Sequence, residues 1–286
     1  MAKNSSGDDK RKKARENARQ IAANQAKKEK TAKTILYVGI GVVIVVVLAV
    51  VGVLIFQQNK PAVNPENYVS EGITVSKDNA LVQPLKMPEG EESDLPAATD
   101  AGAKKDAATV TVYLDFQCPG CKAFEESNSG MLKKLADEGT IVINYKPVSF
   151  LDRMSSGNEY STRSANLAAC VVDSQPDKAI DLFDALYAQQ PEEGTEGRSD
   201  DELLKVAKDA GIDTSAKLKA DPEQTVESCV TDQTFKKFVE QSSQSALDDK
   251  VEATPWVLIN GKHTENTSDP QALATEILKA TGEVKG

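Results

Sequence analysis

Between residues 109 and 148 the chain passes from "TVTVYLDF" through "QCPGCKAF" to "IVINYKPV". The outer segments, 109–116 and 141–148, are runs of β-branched and aromatic residues and are expected to be strands. Between them Phe124, Met131, Leu132 and Leu135 recur on one helical stripe, and Gly139 follows, so a helix is expected over 121–138. Strand, helix and strand at this spacing form a βαβ unit, and its crossover makes the two strands parallel. The unit also puts a C-x-x-C sequence, Cys118-Pro119-Gly120-Cys121, where the first strand ends and the helix begins.

The flanking chain fills out an α/β domain. A short strand is expected at Gly72–Ser76 and a loop over Pro88–Ala108, which lacks periodicity. From about 155 to 248 the pattern is helical throughout. Ile180, Phe183 and Tyr187 mark one apolar face, and Phe235, Phe238 and Val239 another. Ser199 with Glu202 forms a capping box, and Asp221-Pro222 is expected to start a further helix. Strands then return in "PWVLINGKHTE", where Asn260-Gly261 signals a hairpin, and Asp269-Pro270 caps a last helix that ends at Gly282.

Charge divides the chain unevenly. Residues 1–33 hold eleven Lys and Arg against four Asp and Glu, or +7, whereas the whole chain carries −10, so the remainder carries −17. An acidic folded part argues against nucleic acid as a partner. After the basic head come 22 residues without a charge, "ILYVGIGVVIVVVLAVVGVLIF" (35–56). As a helix they would measure about 33 Å, enough for a bilayer core. The expectation is a basic cytoplasmic tail over 1–33, a transmembrane helix over 34–56, a solvated tether over 57–69 and an external domain over 70–286.

That orientation puts all four cysteines, Cys118, Cys121, Cys170 and Cys229, on an oxidising side, where two bridges, or one bridge and a redox pair, fit the even count. Cys118 falls at the helix N-cap, where unpaired N–H groups and the helix dipole favour a thiolate. Cys121 lies one turn further in and can resolve a mixed disulfide formed at Cys118. Pro119 needs no N–H donor in the first turn. A zinc site wants four ligands, and the chain offers one pair, two solitary cysteines and a single histidine, His263, so no metal is expected. A purely structural Cys118–Cys121 bridge would close too small a loop to stabilise much.

"LDFQCPGC", a helical block and "VEATPWVLING" together resemble the DsbA-like branch of the thioredoxin superfamily in its membrane-anchored Gram-positive form, over roughly residues 70–284. The resemblance implies a thioredoxin-like fold with a helical insertion at about 155–248, catalytic Cys118 and Cys121, and no cofactor. It also implies that Thr254 and a cis Pro255 contact the substrate chain beside Pro119 and Gly120, and that Cys170 and Cys229 form a structural bridge. On the residues alone, Pro255 would merely open an edge strand. In one respect the chain departs from the family pattern. Family strands commonly carry a buried acid six residues before the first cysteine, and that position is Val112 here. Asp115 is present, but strand alternation puts it on the opposite face from Val112.

The expected function is disulfide formation in exported polypeptides by an anchored extracytoplasmic oxidoreductase, reset by a membrane redox partner. A reductase or isomerase of the same fold, or a non-catalytic peptide-binding module, are the alternatives. An intact cysteine pair argues against the last.

Overall fold

The computed structural model describes residues 15–16, 19, 39–51, 62–85 and 93–282. By contacts the chain divides into two units, residues 1–61 and 62–286. In the first, residues 39–51 are helical and their side chains are exposed. Among the described residues no helix is long and apolar enough to cross a membrane. The rest of the expected span, 34–38 and 52–56, lies outside the described residues, as do most of the basic head and residues 57–61.

The second unit is built on a five-stranded sheet. Its strands are β1 (Ile73–Val75), β2 (Ala108–Leu114), β3 (Ile141–Pro147), β4 (Trp256–Ile259) and β5 (Lys262–Thr264), in the order β1-β3-β2-β4-β5. β2 and β3 run parallel, with Val110 opposite Ile143, because helix α1 (Pro119–Asp137) crosses over between them. The other pairings are antiparallel, and Asn260 and Gly261 turn β4 into β5 with positive φ angles of 49° and 80°. The central strands are covered on both faces, so every residue of β2 is buried except the half-buried Thr111. Val110, Val112, Leu114, Phe116 and both cysteines of the pair belong to the main core, while Tyr113 and Val148 pack on the other face with Ala246 and Val251.

Between β3 and β4 lie α2 (Tyr160–Ser174), α3 (Ala179–Ala188), α4 (Asp200–Asp209), α5 (Val226–Thr231) and α6 (Lys236–Asp248), and α7 (Pro270–Ala280) closes the chain. Nearly all of α2 is buried. Its polar residues are paired accordingly. Arg163 meets Asp200 at 2.6 Å, Asn166 accepts from Phe235 N at 2.8 Å, and the Asp173 carboxylate accepts from the backbone of Glu66 and Lys219, each at 2.6 Å. Cys170 of α2 and Cys229 of α5 are joined in a disulfide, with Cα atoms 6.0 Å apart.

One expectation needs correction here. No helix starts at Asp221-Pro222. Asp221 instead accepts from Glu223 N at 3.2 Å in a turn, and α5 begins at a capping box between Thr225 and Ser228. In the described part of the tether, 62–69, Val63, Asn64 and Glu66 are exposed while Pro65 and Val69 are buried, so it is held to the domain in part. Besides the Glu66 contact, Asn67 Nδ2 donates to Val172 O at 2.9 Å, and Tyr68 packs edge-on against Phe238 at 5.0 Å. These residues are fixed to α2 and α6, and Val69 bridges to Gly72 ahead of β1.

Candidate active site

β2 delivers the chain to the sheet edge at Leu114, and the next four residues form a loop ending in Cys118, the N-cap of α1. Cys118 N donates to Asp115 O at 3.0 Å, and Cys121 N and Lys122 N return to Cys118 O at 3.1 and 3.2 Å. Pro119 fills the first helical position, where no donor is needed. Both cysteines of the pair are free thiols; Cys118 retains 8 % exposure and Cys121 1 %.

Their environments push the two thiols apart. Cys118 is lowered from 9.0 to about 6, chiefly by the hydrogen bond from Cys121 and, against the cost of burial, by the Thr254 hydroxyl and the backbone N–H groups of Cys121 and Gly120. Cys121 is held well above 9.0 by burial first, and then by its bond to Cys118 and that sulfur's charge. Cys118 Sγ also lies 3.2 Å from Thr254 O, which accepts from the thiol while it is protonated. At neutral pH the arrangement is thus a barely exposed thiolate at Cys118 and a fully buried thiol at Cys121.

The hairpin completes the site. The Thr254-Pro255 peptide bond is cis. A Cβ placed on Gly120 would sit 3.3 Å from Pro255 Cδ and 3.5 Å from Cys118 Sγ, so glycine keeps the gap between the pair and the hairpin open. Cys118, Pro119, Gly120, Cys121, Thr254 and Pro255 therefore meet at one place. His263 does not join them; it stacks on Trp256 with ring centres 3.6 Å apart. Among the described residues no group of three or more His, Cys, Asp or Glu could hold a metal ion.

Asp115 is placed differently from its expected position. The strand stops at Leu114, so alternation no longer governs residue 115, and its side chain is fully buried beside the pair. Its backbone N–H points to Cys121 Sγ at 3.4 Å. Its carboxylate accepts from Gln117 N at 2.8 Å, Ser161 Oγ at 2.7 Å and Leu151 N at 2.9 Å. Burial pushes it up to about 7 despite those three bonds.

The helical insertion braces the same loop in ways the sequence did not disclose. Gln190 Nε2 donates to Phe116 O at 3.0 Å and Cys118 O at 2.9 Å, and Tyr187 Oη lies 3.5 Å from Asp115 O. Phe116 packs against the rings of Phe183 and Tyr187.

An acidified thiol at a helix N-cap, backed by a buried thiol and faced by a Thr-Pro step, defines the thiol–disulfide oxidoreductases. A family model described as Thioredoxin matches residues 97–279, and the chain belongs to that family. Disulfide bond formation protein D of Bacillus subtilis is 30 % identical over 186 residues, covering 64 % of this chain and 76 % of that protein. The oxidised DsbA of Mycobacterium tuberculosis superposes with a TM-score of 0.54 at 28 % identity, over 75 % of this chain and 95 % of that one. A reduced DsbG from the same organism gives 0.55 at 27 % identity, over 77 % and 91 %. The protein is a DsbA-like thiol–disulfide oxidoreductase of thioredoxin-like fold with a helical insertion.

Proposed function

We propose that this enzyme is anchored in the cell membrane by residues 34–56, works on its outer side, and introduces disulfides into exported polypeptides. In the oxidised enzyme a substrate thiolate attacks Cys118 Sγ, the Cys118–Cys121 bond breaks, and Cys121 leaves. A second substrate thiolate then attacks the substrate sulfur of the mixed disulfide, closing the substrate's bond and releasing Cys118 as thiolate. Thr254 and Pro255 hold the substrate strand against the Pro119-Gly120 turn. A membrane redox partner takes the two electrons from the reduced pair and resets it.

The observation that carries this is the unequal pair. Lowering Cys118 to about 6 stabilises the dithiol form, so the disulfide form readily passes its bond to a substrate. The uncharged run at 35–56 behind a +7 head supports the anchor and its orientation. The test is a trap in cells. Cys121→Ser should accumulate mixed disulfides with exported proteins, because Cys118 still attacks substrate disulfides and the enzyme's own resolving thiol is gone, while Cys118→Ser should accumulate few. The conjugates should sediment with membranes and be cut by protease added outside. Equal trapping by both variants, or conjugates with cytoplasmic proteins in the soluble fraction, would count against the assignment.

A further inference from the structure

A cleft of about 120 Å³ lies between α1, α3 and the β1 side of the sheet, and neither Cys118 nor Cys121 lines it. Its floor is apolar, made by the buried Val75, Ile143, Tyr145 and Phe183. Gly130 and Lys133 of α1 and Asp184 of α3, all exposed, stand at its rim. An apolar cavity of roughly 150 Å³ holds a benzene ring, so this floor suits a chain of about four carbons.

Two features mark the cleft as a place for a bound group. Ser76 is 1 % exposed, and its Oγ has no hydrogen-bond partner in the protein; Glu125 Oε1, also buried, has none either. Both residues line the cleft, and buried polar atoms are seldom left unmatched. The second feature is Gly130. It lies inside α1, where glycine is less favourable than alanine, yet a Cβ there would meet nothing within 4 Å. No packing demands this glycine, and its missing side chain leaves the mouth of the cleft clear.

Charge selects the kind of group. Burial, and then the Asp184 carboxylate, hold the Glu125 carboxyl up at about 8. Asp184 is itself raised by burial and then by Asp181, with Lys133 opposing. Tyr145 on β3 is pushed up by burial and then by both Glu125 and Asp184, and Tyr187 on α3 by burial and then by Cys121 and Glu125. Lys133 turns its Nζ to Asn79 Oδ1 at 3.4 Å, and Ser76 and Asn79 bring no charge from the β1 side. An anion entering here would meet two carboxyl groups, and a neutral molecule would leave their opposition standing; a cation relieves it. We propose that this cleft binds a small primary ammonium ion with an apolar chain of about four carbons, the head between Glu125 and Asp184 and the chain on Val75, Ile143, Tyr145 and Phe183.

The probe is n-butylammonium, followed by saturation-transfer NMR on the full chain, with n-butanol and butyrate as its neutral and anionic counterparts. At pH 8 it should bind with a dissociation constant of about 1 mM, as suits so small a ligand, and the counterparts about tenfold more weakly or worse. An alkylammonium keeps its charge up to about pH 10. The head takes the place of the Glu125 proton, so affinity should rise roughly fivefold from pH 7 to 8. Glu125→Gln should weaken binding about tenfold and remove that rise. Gly130→Leu puts a side chain over the mouth without a clash and should exclude the probe. It carries the test alone if Glu125→Gln does not fold, since leucine suits a helix better than glycine and the variant should melt no lower than the wild type. Three results overturn the proposal: no saturation transfer to the probe at about 20 mM, well above that dissociation constant; butyrate or n-butanol binding as tightly; or Gly130→Leu binding the probe as the wild type does.

Discussion

Asp115 shows how far one side chain reaches into the chemistry of its neighbours. Its carboxylate ties the redox loop to the start of α2 and to Leu151. After burial, the Cys118 thiolate adds to what holds the Asp115 carboxyl up at about 7. Asp115→Asn should therefore act on stability and leave the Cys118 titration in place. An amide turned so that its NH2 meets Gln117 N or Leu151 N leaves a buried donor facing a donor, a cost of about 1–3 kcal/mol seen as a lower melting temperature. The Cys118 midpoint, followed by thiolate absorbance, should stay near 6, because Asp115 still holds its proton where Cys118 ionises; a clearly lower midpoint would show that Asp115 is charged there. The structure brings Cys118, Cys121, Thr254 and Pro255 together; the C-x-x-C spacing singled out the pair in the sequence, whereas only the family resemblance pointed to Thr254 and Pro255. Asp115 was misplaced because strand alternation was carried one residue past the strand's end. Ser161, Tyr187 and Gln190 were not legible, since their partners lie 46, 72 and 72 residues away and no local pattern records such contacts.

At the level of elements, legibility followed the strength of the local chemistry. The βαβ unit, the Asn260-Gly261 hairpin and the Ser199 capping box were read correctly because each is decided by adjacent residues. The start of α5 was missed because Ser228 takes the place where a capping box usually offers Glu or Gln, and Asp221-Pro222 gave a stronger but false signal. α5 is only six residues long, too short to hold itself, and is tied to the buried α2 by the Cys170–Cys229 bridge. Closing a loop of this length, 59 residues, is worth at most about 4 kcal/mol by the chain-entropy argument. Replacing both cysteines by alanine should lower stability by up to that amount. The redox pair should be unaffected, because α2 keeps its Arg163–Asp200 and Asn166 contacts and still presents Ser161 to Asp115. Equilibration with glutathione checks this. A shift in the Cys118–Cys121 potential beyond about 30 mV, a tenfold change in the exchange constant, would show that the bridge does more than stabilise.

For the whole molecule, the unequal pair makes the stability of the fold depend on its redox state and on pH together. In the oxidised protein neither sulfur titrates. In the reduced protein Cys118 ionises with a midpoint of about 6, against 9.0 when its environment is removed by unfolding. A depressed midpoint stabilises the folded reduced form fully above the unfolded value and loses that contribution as pH falls through the folded one. The gain is thus complete near pH 9, declines toward pH 6 and is absent below it, with a total on the order of a few kcal/mol. Cys121, held above 9.0, stays neutral across this window and does not alter its sign. Asp115, raised to about 7, and Glu125, raised to about 8, weaken both redox forms as pH rises and largely cancel in the difference between them. Urea unfolding of the two forms, taken from pH 5.5 to 9, isolates that difference. Reduced-minus-oxidised stability should climb steadily with pH above about 6 and lie flat below it. An oxidising enzyme requires this direction, because whatever stabilises the folded dithiol drives the disulfide onto the substrate. A difference that fell with rising pH would make the pair a reductant, and one that stayed constant would mean that Cys118 ionises in the fold as it does in the unfolded chain.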